Sequence, residues 1–281
     1  LGERFSAQQY LSQCIAFQCG LIKFYNMGEI FLILWVLYIL LFFYSLRYKN
    51  NSIVDLFWGP VFVVIALYSY FFESIFSLSQ TLVTLLVTAW GVRLFLNIFA
   101  KKIHNFHHED PRYTLWRKQW KYVKTRSFFQ VFFLQWVLAC IVATPIWLIN
   151  FASGFEESIY LTFFGGLIAL FWLLYEARAD GELAGFMKNK KPWDICTSGL
   201  RSFHRYPQYF GESVFWFGIC VIASQISLFS FIWFVVIFFL VRYVTGVPKL
   251  EKRYQDNEKF QEYAKAIPIF FPQWNKLLYK K

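Results

Sequence analysis

The chain has 281 residues, of which 58% are hydrophobic and only 16% charged, and its formal net charge is +11. Soluble domains carry about a quarter charged residues, and here the apolar residues stand in uninterrupted runs, so a soluble globular fold is excluded. In such a chain, positive charge reports membrane topology and contact with anionic lipid rather than nucleic acid.

Residues 1–26 are of mixed character and are read as a short N-terminal arm or an artefact of start-site choice. They lack the basic–apolar–small order of a cleavable signal. From residue 27 a single integral membrane domain is expected, with substrate-cavity helices over 27–150 and a cofactor-binding half over 151–281. Seven apolar segments follow in order: about Gly28–Leu46, Ile53–Phe72, Phe76–Ala100, Phe128–Ile149, Ser158–Tyr175, Gly211–Ser224 and Ile226–Val244. The longer runs reach the roughly 20 residues that cross hydrocarbon. Backbone groups in lipid must be satisfied within the element, and the alternation of a membrane barrel is absent, so the segments are expected to be helices. The last two are close enough to form a tight helical hairpin.

Basic residues set the orientation. Apart from Arg4, Lys23 and Arg93, every Lys and Arg falls after segment one, between Lys101 and Arg126, between Arg178 and Arg205, or from Arg242 onward. The alternate loops carry Glu73, Glu156 and Glu157 and no basic residue. Seven spans put all basic loops on one side, which places the N-terminus outside and the C-terminus in the cytosol. The expected location is therefore a membrane that the chain crosses several times.

Several charged residues within or beside the apolar segments are candidates for function, because an ionisable group in a span costs several kcal/mol unless paired or solvated. Asp55 stands at the start of segment two and Arg93 inside segment three; snorkelling and helix capping are the plain alternatives. Glu176 and Asp180, four apart, share one helix face. Pro207 suits a first helical turn and Glu212 then faces inward, near a helix N-terminus suited to an anion. In the loop from Lys101 to Arg126, Arg112 and Arg117 are placed to reach a phosphate. His104, His107 and His108 precede Glu109 and Asp110, but their spacing matches no closed zinc site, and no metal is expected. The five cysteines form no disulfide framework or Cys-x-x-Cys pair. No internal repeat, G-x-G-x-x-G or Walker-type loop occurs, so a nucleotide would bind without a soluble Rossmann domain.

Seven short motifs stand in order: D-x-x-W-G from Asp55, W-G-x-R-L from Trp90, E-D-P-R-Y-x-x-x-R from Glu109, E-A-x-A-D from Glu176, G-L-x-x-x-x-R-Y-P-x-Y-F-G-E from Gly199, G-V-P-x-L-E-x-R from Gly246 and Y-x-x-x-I-P-x-F-F-P from Tyr263. On these, from about Ile53 to Trp274, the chain resembles the bacterial DUF1295 branch of the steroid 5-alpha-reductase-like membrane family. The resemblance implies a seven-helix fold that holds NADPH among the C-terminal helices. It also implies hydride transfer to an α,β-unsaturated ketone or related activated alkene in a steroid-like or other lipid substrate. It implies cofactor roles for Asp180, Gln208, Tyr209, Glu212 and Arg253, and also for Glu176, Arg205 and Tyr263. Asp55 and Arg93 are expected near the reacting end.

Two positions depart from that pattern. Where the steroid enzymes polarise the substrate carbonyl with a tyrosine, this chain has Trp90, which lacks a phenol. This points away from a 3-keto steroid and toward a smaller or more flexible lipid enone or a sterol alkene. Tyr206 stands where a histidine is usual, with His204 two residues earlier. The C-terminal motif is shared with isoprenylcysteine carboxyl methyltransferases, so an S-adenosylmethionine-dependent methyltransferase remains open, as does a non-enzymatic lipid-binding scaffold.

Overall fold

The computed structural model describes residues 7–103 and 108–273, with side chains from residue 26 onward. His104 and His107 therefore lie outside the described residues, as do the side chains of nearly all of the N-terminal arm. The described chain is all-α, with no strand. It runs α1 (Ala7–Tyr48), α2 (Ile53–Leu56), α3 (Trp58–Glu73), α4 (Leu78–Lys102), α5 (Pro111–Gln119), α6 (Val123–Ser127), α7 (Leu134–Val142), α8 (Thr144–Asn150), α9 (Ile159–Lys188), α10 (Pro207–Ala223), α11 (Ser230–Phe239), α12 (Val247–Tyr254) and α13 (Glu258–Ala266).

Five helical stretches are long and apolar enough to cross a membrane: Asn26–Tyr48, Leu78–Lys102, Val123–Val142, Ile159–Lys188 and Ser230–Tyr254. The shorter α3 and α10, of 16 and 17 residues, take up segments two and six. All seven apolar segments are thus helical, and the chain is a polytopic membrane protein. Large apolar side chains such as Phe71, Leu85, Leu167 and Val235 stand exposed on the outer faces, as expected where lipid is the solvent.

The boundaries follow local chemistry. Ser77 and Gln80 form a capping box at the start of α4, which satisfies two orphan backbone donors. Ser158 caps α9 and Asp110 caps α5 through side-chain oxygens. Proline occupies the first turn of α5, α8, α10 and α12, where a missing N–H costs nothing. Segment four, expected to be one helix, is broken. A π-helical stretch over Phe128–Phe133 precedes α7, and Pro145 divides α7 from α8, because proline cannot continue a helix from the preceding turn. Segment five, expected to end at Tyr175, runs on as helix to Lys188 and so carries Glu176 and Asp180 on the same rod.

Helices pack closely where glycines face one another. A Cβ built on Gly91 of α4 would lie 2.7 Å from the carbonyl oxygen of Gly59 on α3, and one on Gly218 of α10 would lie 2.7 Å from that of Gly165 on α9. Small residues at such crossings let backbones approach, which is the main source of helix association in lipid. The interior between the helices is filled by large side chains. Tyr38, Phe62, Trp90 and Trp216 are essentially unexposed, and Trp90 lies 5.3–5.8 Å, centroid to centroid, from the rings of Phe62, Phe215 and Trp216.

The two ends of the bundle differ in charge. At one end the basic loops meet: Asn51 N–H donates to Glu109 (2.7 Å), Lys102 donates to the Ser52 carbonyl, and Asn257 donates to the Trp193 carbonyl (2.9 Å). At the other end Glu157 accepts from the Ser79 N–H, Gln225 accepts from the Ser158 N–H (2.6 Å), and Asn26 pairs with Glu73.

Candidate functional site

Three polar groups gather at the basic end. The first is built on α4, α9 and α10. Arg93 reaches across from α4, donating from Nη1 to Asp180 Oδ2 at 2.6 Å and from Nη2 to Glu176 Oε1. The acids are one helical turn apart on α9, which matches the fork of a guanidinium. Lys101 lies 3.9 Å from Asp180 Oδ1. Glu212 on α10 is an electrostatic neighbour of Glu176 and Arg93; Gly211 lets the helices approach, since a Cβ built on it would lie only 3.2 Å from the Glu176 Cβ. Three carboxylates therefore share one arginine. Glu176 is 3% exposed, yet its Oε2 has no hydrogen-bond partner, and neither has Arg93 Nε.

The second group joins α2 to α5. The Tyr113 phenol donates to Asp55 Oδ1 at 2.8 Å and Arg112 Nη2 donates to Oδ2 at 3.1 Å. Arg112 also forks onto Asp110 (2.9 Å), and Arg117 onto Glu109 (2.8 Å). These ties fold much of what the sequence suggested as a solvated loop into a docked helix. Burial opposes ionisation of Asp110, but hydrogen bonds from the Arg112 side chain and backbone hold it below the ordinary carboxylate range. Burial, reinforced by Asp55, pushes the Tyr113 phenol well up, so it remains a donor. Lys249 of α12 is an electrostatic neighbour of Arg112, Asp55 and Asp110. Tyr209 is an electrostatic neighbour of Glu212 and Asp180 of the first group and of Arg112 of the second.

The third group latches the C-terminal segment to α9. Arg201, 5% exposed, donates to the Ala179 carbonyl (3.0 Å) and to Gln208 Oε1 (3.0 Å), while Tyr263 donates to the Arg201 carbonyl (2.6 Å). Arg205 pairs with Glu251 (3.2 Å), which also accepts from the Tyr206 phenol (2.6 Å). Arg205, Gln208 and Tyr263 are thus already engaged in protein contacts. Arg253 is exposed and lies beside the Tyr254 ring.

His204 belongs to the latch. Phe270 O can only accept, so Nδ1 donates to it (2.6 Å) and Nε2 accepts from the Tyr175 phenol (2.6 Å). Burial pushes the imidazole down to about 4, offset in part by the Phe270 hydrogen bond. As pH falls below the ordinary value of 6.5 the unfolded chain takes up this proton first, so stability is complete above about pH 6.5 and is lost toward pH 4, by up to about 3 kcal/mol. Comparing unfolding midpoints of the wild type and His204→Gln in detergent from about pH 7 to 4.5 checks this. The wild-type curve should fall more steeply, and parallel curves would remove His204 from the account.

Sequence reasoning named Asp55, Arg93, Arg112, Glu176, Asp180, Tyr209 and Glu212, and the fold gathers these at one end. It did not assign roles to Tyr113, Arg201, Glu251 or Lys249. Tyr113 lies inside the quoted E-D-P-R-Y motif, which was the available signal. Glu251 likewise lies inside the quoted G-V-P-x-L-E-x-R motif, whereas Arg201 offered no signal beyond its charge.

These features define an all-α, polytopic integral membrane protein with a buried acid–arginine cluster at its basic end. The chain belongs to the family described as "Protein of unknown function (DUF1295)", whose model matches residues 41–267. No curated protein and no solved structure matches it.

Proposed function

We propose that this protein is a multi-pass reductase of a bacterial inner membrane that uses NADPH to reduce an activated C=C bond in a steroid-like or other lipid substrate. The observation that carries the reading is the set of three carboxylates around Arg93, with Glu176 Oε2 buried and unpartnered. An orphaned buried acceptor costs about 1–3 kcal/mol, which a donor-rich ligand recovers. Ribose hydroxyls and a carboxamide N–H are such donors, and Glu176, Asp180 and Glu212 would hold them. Arg112, Lys102 and Lys249, grouped around Asp55 and Asp110, would hold the phosphates, with Tyr209 between the two ends. The acidic and basic halves together suit a dinucleotide better than either half suits a simple anion.

When bound, NADPH supplies the hydride. The chain's own residues orient the acceptor and stabilise negative charge that develops on its oxygen. Arg93 brings positive charge to the acid cluster. Asp55, which accepts from the Tyr113 phenol at Oδ1 and from Arg112 at Oδ2, orients that guanidinium toward the phosphates.

Thermal unfolding of the detergent-purified protein with NADPH, NADH and S-adenosylmethionine tests the reading. At about 100 times its dissociation constant a ligand adds roughly 2.7 kcal/mol to the native state. A shift with NADPH, lost in Glu212→Ala, is expected. A shift with S-adenosylmethionine alone would transfer the site to methyl transfer, and no shift with any of the three would leave a lipid-binding scaffold.

A further inference from the structure

At the basic end, the last turn of α1 and the first turn of α6 stand side by side. Phe42 of α1 packs on Phe128, where α6 passes into the π-helical stretch (ring centroids 5.2 Å), and Asn51 Nδ2 donates to Ser127 Oγ (2.9 Å). Lys49 stands seven residues beyond Phe42, and Lys124 four before Phe128 on the same helix face, so both lie over that contact. Lys49 ends α1 in the left-handed conformation (φ 52°), with the Asn50 N–H on the Ser45 carbonyl (3.0 Å); glycine is the usual residue there. Arg47, Lys121 and Arg126 flank the pair, and all five side chains are exposed. Nearby Arg112 and Arg117 are taken up by Asp55, Asp110 and Glu109, whereas among the described residues none of the five pairs with a carboxylate. Arg47 and Lys121 lie instead over the rings of Tyr48 and Tyr122, each at 5.6 Å.

We infer that the junction of α1 and α6 is a binding site for the phosphate of an anionic glycerophospholipid in the leaflet at the basic end. Depth argues for a lipid rather than a soluble anion. Phe43 and Phe129 stand exposed on the two helices and mark the hydrocarbon. Arg47 is four residues beyond Phe43 and Arg126 three before Phe129, about 5–6 Å along the axis at 1.5 Å per residue. The headgroup layer on each side of the hydrocarbon is about 5–8 Å thick, so the cations lie within it. Tyr48 and Tyr122, both exposed, are of a type enriched at that level. Charge argues for an anionic headgroup. A guanidinium fork matches a phosphate, and a choline head would bring its own cation against five others. The acyl chains then run down past Phe43 and Phe129. The loop after α9 is the contrast: Lys188 and Lys191 are exposed, but Lys188 lies 14 residues beyond the exposed Leu174, about 21 Å along the helix and past the headgroups.

The test titrates the full chain, purified in detergent and stripped of lipid, with dioleoyl phosphatidylglycerol or dioleoyl phosphatidylcholine, and reads bound lipid by native mass spectrometry. The wild type should bind phosphatidylglycerol about tenfold more tightly than phosphatidylcholine. In Arg47→Gln, Lys124→Gln, which removes one cation from each helix, the ratio should fall to about twofold. Both side chains are exposed and glutamine is a comparable helix former, so the melting temperature without lipid should match the wild type. The variant Lys188→Gln, Lys191→Gln removes the same charge and should keep the preference. Equal loss in both variants assigns the effect to net charge and overturns the site, as does a wild type with no preference. Hydrogen–deuterium exchange on the wild type locates the lipid without any substitution. Phosphatidylglycerol should protect residues 43–50 and 121–129, and protection confined to other segments overturns the proposal. Protection of these segments by inorganic phosphate or a short DNA duplex, and not by phosphatidylglycerol, also overturns it, because the surface then serves a soluble anion.

Discussion

Replacing Arg93 by methionine is expected to cost about 3–5 kcal/mol of stability, the range for removing one partner of a buried ion pair. Arg93, Glu176 and Asp180 side chains are only 16%, 4% and 14% exposed. Without the guanidinium, Glu176, Asp180 and Glu212 face one another with only Lys101, 3.9 Å from Asp180, to offset them. Lysine at position 93 would recover part of the loss, since an ammonium supplies charge but not the two-pronged fork. The triple variant Arg93→Met, Glu176→Gln, Asp180→Asn should recover most of it, because neutralising all partners removes the uncompensated charge. Unfolding midpoints of the four proteins in one detergent decide the matter. A single Arg93→Met within about 1 kcal/mol of wild type would mean that solvent or lipid headgroups already screen the cluster.

A second large loss is expected for Gly59→Leu. A Cβ at position 59 would overlap the carbonyl oxygen of Gly91 and lie 3.3 Å from the Phe95 backbone nitrogen. Backbone cannot rotate aside as a side chain can, so α3 and α4 must separate. Overpacking in a filled interior costs about 1–3 kcal/mol, occasionally more, and here the lost contact is a helix–helix seam that lipid does not otherwise drive together. The effect should reach or exceed the top of that range. Gly28→Leu is the control, since a Cβ at position 28 meets nothing within 4 Å. Comparing the yield of folded protein by size-exclusion chromatography and the unfolding midpoints checks this. Equal behaviour of the two variants would show that the α3–α4 seam tolerates separation.

Much of the architecture was legible because lipid imposes a one-dimensional rule. Each apolar run must close its own hydrogen bonds, so composition and length alone marked the helices at Gly28–Leu46, Phe76–Ala100 and Ser158–Tyr175. The charge bias of the loops likewise marked which ends meet. The break between α7 and α8 was not read from the sequence, although Pro145 carried the signal for it. The spacing of Glu176 and Asp180 carried the helix past the apolar run as far as Asp180, but its continuation to Lys188 was not legible, because charged residues ended the apolar pattern while the helix went on.

The site was legible in its parts and not in its pairing. Residue type and membrane position singled out Arg93, Glu176, Asp180, Asp55 and Glu212, since charge at a membrane border has a cost that must be met. Which charge meets which depends on distances between helices remote in sequence. Only the packed fold could show that Arg93 forks onto Glu176 and Asp180, 83 and 87 positions away, or that Tyr113, rather than a residue of α4, brings its phenol to Asp55. Only the fold could show that Arg205, Gln208 and Tyr263 are engaged in a latch. Sequence therefore determined the helices, their membrane character and the cast of charged residues, because these follow from local composition and the solvent around each segment. Tertiary structure decided partnership, because this arises where separately written helix faces come within hydrogen-bonding distance.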